Sequence, residues 1–107
     1  MRIYLSGKIT GLDKEVYSRQ FERAETFYKT SGFDVINPVK IGEEILKQNP
    51  SATWNDFMKE DIQALKTCTH IALLEGWEES KGAKVEKAEA KKLGLEIMYL
   101  KFFGGKK

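Results

Sequence analysis

The stretch "HIALLE", residues 70–75, constrains the fold of this chain more than any other. Ile71 to Leu74 are four apolar residues in a row, with no alternation that would leave one face for water. So short and uniform a run suits a strand covered on both sides, as in the interior of a parallel sheet. "RIYLS" (Arg2–Ser6), "FDVINP" (33–38) and "LEIMYL" (95–100) read as further strands. Pro38 stops the second, because proline cannot donate to a ladder.

Helical spacing of apolar residues fills the gaps between these strands. Phe21, Ala24, Phe27 and Tyr28 mark a helix over Lys14 to Thr30, with Asp13 placed to cap it. A short helix follows Pro38 and ends before Pro50. Trp54, Phe57, Met58, Ile62 and Leu65 mark another, capped by Ser51 or Thr53. The last runs from Lys81 to Leu93 and closes at Gly94. The order β-α-β-α-α-β-α-β predicts right-handed crossovers and a flavodoxin-like, three-layer α/β/α architecture. Its sheet is small and mainly parallel, of four to five strands. In such open sheets ligands bind at the carboxyl ends of the strands, near the point where strand order reverses. Three loops lie there: Gly7–Asp13, Asn37–Lys40 and Glu75–Gly82.

The 107 residues suit one domain, residues 1–101, and a tail, 102–107, whose Phe102 and Phe103 either fold back or make a subunit contact. Eighteen basic and 16 acidic residues leave a net charge of +2, too balanced to draw in polymeric nucleic acid or a membrane surface. Lone Cys68 forms no intrachain disulfide, and with lone His70 it makes no Cys/His zinc cluster, so neither metal nor cofactor is expected. Neither a leader nor a membrane span is apparent, and a cytoplasmic protein is expected.

On a helical wheel of the last helix, Ala83, Ala90, Leu93 and Gly94 form an apolar side, and Glu86 falls inside it. Such a carboxylate, one turn from a helix start and partly desolvated, suits a nucleophile or general base. An acid merely complementing the helix dipole explains it as well. Ser80 caps the same helix, and Gly82 lets a ligand approach the backbone; an ordinary capping turn is the plainer reading. "SGKITG" (6–11) lacks Walker spacing, since that pattern needs glycine where Arg2 stands and Ser or Thr where Ile9 stands. It still offers a cation, Lys8, and a hydroxyl, Thr10. Asp61 borders the apolar stripe of its helix, Tyr4 is a strand phenol in need of a partner, and of the two indoles Trp77, in a strand-end loop, is better placed than Trp54 to stack a base.

Together "IYLSGKITG", "GFDVINP", "WNDFMKEDIQAL", "CTHIALLEGW" and "SKGAKVEKAEAKKLG" resemble the nucleoside 2-deoxyribosyltransferase superfamily, which includes the deoxynucleoside 5′-monophosphate N-glycosidases. The likeness spans nearly the whole chain and is nearest to the DUF4406 branch. It implies that Glu86 is the nucleophile, that Tyr4 contacts it, and that Asp61 helps bind the base. It further implies that Ser80, Gly82 and Ala83 meet a 5′-phosphate, with Gly7, Lys8, Ile9 and Thr10 adding contacts. Two positions depart from the pattern: Lys8 and Thr10 replace a serine and an arginine, and Thr69 follows Cys68 where the family often has aspartate. The implied reaction is hydrolysis or transfer at the N-glycosidic bond of a deoxynucleoside or its monophosphate, without cofactor, by a homo-oligomer. A non-catalytic nucleotide-binding module and a ligand-free oligomerising domain are the rival expectations.

Overall fold

The computed structural model describes residues 1–101; the tail with Phe102 and Phe103 lies outside them. The elements follow the order β1 (Arg2–Ser6), α1 (Lys14–Thr30), β2 (Asp34–Ile36), α2 (Pro38–Gln48), α3 (Trp54–Leu65), β3 (His70–Leu74), a 3-10 turn at Trp77–Glu79, α4 (Lys81–Leu93) and β4 (Glu96–Leu100). The four strands form one sheet in the order β2-β1-β3-β4, with every pairing parallel. The chain steps from β1 outward to β2 and then back across to β3, so strand order reverses between β1 and β3. Their carboxyl ends are where a ligand site belongs.

β3 is buried at all five positions, as its uniform apolarity requires. The two faces of the sheet carry different cores. Ile3 and Leu5 of β1, with Ala72 and Leu74 of β3, pack on Phe21, Ala24 and Tyr28 of α1. Tyr4, Ile71 and Leu73 point the other way, to Leu65 of α3 and Ala90 of α4. The period-two alternation of β1 therefore sends Tyr4 and Ser6 to the face that carries α4.

The caps follow from local chemistry. Asn37 Oδ1 accepts from the Val39 N–H at 3.0 Å, and Pro38, at the first position of α2, needs no donor there. Thr53, rather than Ser51, caps α3 in a reciprocal box with Asp56. Ser80 Oγ accepts from the Ala83 N–H at 3.1 Å, and Gly94 closes α4 in the left-handed region at φ 78°. Asp13 stands at the start of α1 but its side chain makes no capping bond.

Three side chains assigned to apolar stripes are exposed, Phe27 at 47%, Leu93 at 41% and Trp54 at 38%. Phe27 lies at the margin of the α1 stripe, and Leu93 is in the last turn of α4, beyond the sheet contact that buries Ala90. In α1 the inward position falls to Glu25, which completes the spacing of Phe21, Ala24 and Tyr28. Its carboxylate accepts from Asn37 Nδ2 at 3.0 Å and pairs with Lys29 at 2.7 Å and Lys40 at 3.0 Å. Burial opposes the charge, but these hydrogen bonds outweigh it and hold the carboxyl down at about 2. Glu25 thereby fastens α1 to the beginning of α2.

Gly7 follows β1 where the chain passes closest to its neighbours. A Cβ there would lie 3.1 Å from Leu74 Cβ and 3.3 Å from Phe21 Cζ. Leu74 Cβ is fixed to the strand backbone, so relief needs a shift of β3 itself. Gly7→Ala is expected to destabilise the protein by about 1–3 kcal/mol, the usual cost of overpacking, read as a lower urea midpoint with an unchanged slope.

Candidate functional site

The carboxyl ends of the strands open into a cleft of about 840 Å³, within the range that takes small molecules. Gly7, Lys8, Ile9 and Thr10 line it after β1, Pro38 and Val39 after β2, and Glu79 to Ala83 after β3. α2 adds Gly42, Glu43 and Leu46. α3 adds Trp54, Phe57, Met58 and Asp61, and Glu86 reaches in from α4. The stripe on α3 is thus divided: Leu65 enters the core, while Trp54, Phe57 and Met58 wall the cleft.

Glu86 is 5% exposed, and no cation pairs with it among the described residues. What compensates the buried carboxylate is a pair of hydroxyls from β1. Tyr4 Oη donates to Oε2 at 2.6 Å and Ser6 Oγ donates to Oε1 at 2.6 Å. Those are the lengths of charge-assisted O–H···O⁻ bonds. Burial raises the Glu86 carboxyl to about 7, and the bonds from Ser6 and Tyr4 hold it from rising further. Asp61, from α3, is pushed up to about 8 by burial and then by the Glu86 charge, against a hydrogen bond from Tyr4 that favours its charged form. Burial and the same charge raise the Tyr4 phenol well above its ordinary value, so it stays a donor. Both carboxyls are thus raised toward neutral pH, and as neighbours they titrate as a coupled pair.

Two ion pairs span the mouth. Lys8 meets Glu79 at 3.5 Å, joining the loop after β1 to the turn after β3, and Lys14 meets Glu43 at 3.7 Å, joining α1 to α2. Lys81 Nζ sits 4.7 Å from the ring centre of Trp54. The starts of α3 and α4 approach at Gly82, where a Cβ would lie 3.4 Å from Met58 Sδ and 3.8 Å from Trp54 Nε1. Gly82 thus has a packing role beside any contact with a ligand.

The structure brings Tyr4, Asp61, Glu86, Ser80, Gly82, Ala83 and the loop Gly7–Thr10 to one place. It does not bring Trp77, which is not among the residues lining the cleft. The Trp77 ring lies 6.0 Å from that of Tyr99, with Lys87 Nζ 4.5 Å over it. The indole at the cleft is Trp54, because α3 leans over the start of α4. Ser6 was absent from the residues singled out in the sequence, although it shares the face of Tyr4 two residues earlier and could have been found from that alternation. Among the described residues, no group of three or more His, Cys, Asp or Glu side chains is arranged to hold a metal ion. No helix among them is long and apolar enough to cross a membrane.

Comparison with curated proteins gives no match. Among solved structures, the chain is similar to the CMP N-glycosidase BcmB of Clostridium botulinum, at 22% identity and a TM-score of 0.61. The likeness covers 94% of this chain and 69% of that one, and it is a likeness of fold. The sequence profile described as "Domain of unknown function (DUF4406)" matches residues 1–99. The protein is thus a member of the DUF4406 family, with a fold that it shares with a nucleotide-cleaving enzyme.

Proposed function

We propose that the protein cleaves the N-glycosidic bond of a deoxynucleoside or deoxynucleoside monophosphate, as a hydrolase or a base-exchanging transferase. The observation that carries this reading is Glu86: a buried carboxylate on a small-molecule cleft, with no cation paired to it among the described residues, each oxygen held by a hydroxyl at 2.6 Å. A purely structural acid gains nothing from such a place. A nucleophile gains orientation and a raised affinity for positive charge.

The chemistry follows that of retaining glycoside cleavage. As the C1′–N bond breaks, positive charge grows on the sugar ring, and a Glu86 oxygen bonds to C1′. The electron pair of the broken bond leaves with the base, which takes a proton from Asp61. Water or a second base then attacks C1′, returning its proton to Asp61, and the C1′–Glu86 bond breaks to free the carboxylate. Asp61, protonated near neutral pH, is suited to donate that proton. Trp54 and Phe57 offer faces on which a base can stack. The amide-rich start of α4 at Ser80–Ala83, with Lys8, would receive a phosphate. The name of the structural neighbour, a CMP N-glycosidase, supports nucleotides as the first substrates to try.

The test is a panel of deoxynucleosides, ribonucleosides and their 5′-monophosphates, CMP included, with and without an acceptor base, read as free base by chromatography. Base release from at least one compound is expected. Silence across the panel would sink the proposal, and saturable binding without release would assign a non-catalytic nucleotide-binding module instead.

A further inference from the structure

Ser6 is fully buried at the end of β1, and its hydroxyl makes one hydrogen bond among the described residues, to Glu86 Oε1. A buried hydroxyl is costly unless paired, and alanine would fill nearly the same space. The hydroxyl is therefore explained by the carboxylate it meets. The two oxygens of Glu86 are also divided cleanly, Oε2 to Tyr4 and Oε1 to Ser6. Neither hydroxyl lines the cleft, whereas Glu86 does. Both donors thus stand behind the carboxylate, and its remaining lone pairs are left for what enters the cleft.

We infer that Ser6 is a second positioning residue, equal in weight to Tyr4, which fixes the rotation of the Glu86 carboxylate and sets the pH at which that carboxylate becomes available. The inference rests on the reading of Glu86 as the reacting group, but its physical content is independent of turnover. The titratable groups facing Glu86 are few: the Tyr4 phenol from β1 and the Asp61 carboxyl from α3. The first stays protonated throughout the working range, and the second is common to wild type and variant. With one donor per oxygen, losing Ser6 removes one of the two hydrogen bonds that favour the charged form and leaves Tyr4 alone to support it.

The test uses the full chain labelled with ¹³C at the glutamate side-chain carboxyl. The Glu86 resonance is assigned by its loss in Glu86→Gln and is titrated by NMR in wild type, Ser6→Ala, Ser6→Thr and Tyr4→Phe. Ser6→Ala is expected to move the midpoint upward by about one pH unit, a tenfold weaker ionisation, and Tyr4→Phe by a similar amount. Ser6→Thr keeps the hydroxyl and should hold the wild-type midpoint. An unmoved midpoint in folded Ser6→Ala overturns the inference. Should Ser6→Ala not fold, Ser6→Cys decides the matter in the same way, since a thiol is only a weak donor. Where base release is measurable, the acid limb of its pH profile should move with the NMR midpoint. A shifted midpoint in a protein that releases no base upholds the role of Ser6 and counts against the proposed reaction. Base release with an unmoved midpoint does the reverse.

Discussion

Glu86→Gln is expected to lower base release by on the order of 10³-fold or more while leaving the circular dichroism of the protein unchanged. Glutamine keeps the shape of the side chain, and the Tyr4 and Ser6 hydroxyls can each donate or accept, so both contacts at 2.6 Å have a neutral substitute. What is lost is the charge facing C1′ and the ability to bond to it. On the proposed reading, the pH profile of the wild-type protein follows from the two carboxyls. Glu86 must be ionised, so activity falls as pH drops through about 7. Asp61 must carry its proton, so activity falls as pH rises through about 8. The profile is a narrow bell between these limits, which belong to the coupled pair rather than to either residue alone. A broad plateau from pH 5 to 10 would remove Glu86 and Asp61 from these roles, as would a Glu86→Gln protein that kept more than a tenth of wild-type turnover.

The same substitution should make the protein harder to unfold in mild alkali. The Glu86 carboxyl sits at about 7 in the folded chain, against 4.5 as its ordinary value. Because the folded state binds the proton more tightly, its contribution is fully present below about 4.5 and is lost as pH rises through about 7. Above pH 8 the buried charge then costs about 3 kcal/mol relative to a neutral group of the same shape. Glu86→Gln should therefore raise the melting temperature at pH 8.5 by on the order of 10 °C and change it little at pH 4.5. Comparing variant with wild type at each pH cancels Glu25, whose lowered carboxyl works the other way, adding stability above its ordinary value that is lost only in stronger acid. If the two proteins melt together at pH 8.5, the carboxylate is better solvated than its surroundings imply. On the proposed reading, one residue thus sets function against stability.

The elements of the fold were legible because their signals are local. An unbroken apolar run such as Ile71–Leu74 can only be buried, and Pro38, Thr53, Ser80 and Gly94 mark their helix ends through the chemistry of single side chains. Glu86 was legible because a charge inside an apolar stripe violates the period of its own helix. Glu25 violates the period of α1 in the same manner, but its signal is lost among the other charges of that helix. The sequence ranks Trp77 above Trp54 for the cleft and the structure reverses that order, because their placement depends on how α3 crosses the start of α4 at Gly82. That is a tertiary distance, with no trace in the spacing of either segment. The pairing of Ser6 with Glu86 is of the same kind: alternation gives the face of the sheet, but only the docking of α4 gives the partner.

The hydrogen bonds from Tyr4 and Ser6 to Glu86 close loops of 82 and 80 residues, most of the length of the chain. Such contacts require closure of the intervening chain, at an entropic cost greater than that of local contacts. Before it, Glu86 is an ordinary acid on a lysine-rich segment, indistinguishable in affinity for protons from its neighbours. The surroundings of Glu86 are thus made by β1 and α4 meeting, and any opening that lifts α4 from β1 returns it to an ordinary solvated carboxylate. On the proposed reading, a chain with that contact open, however well formed its helices, releases no base.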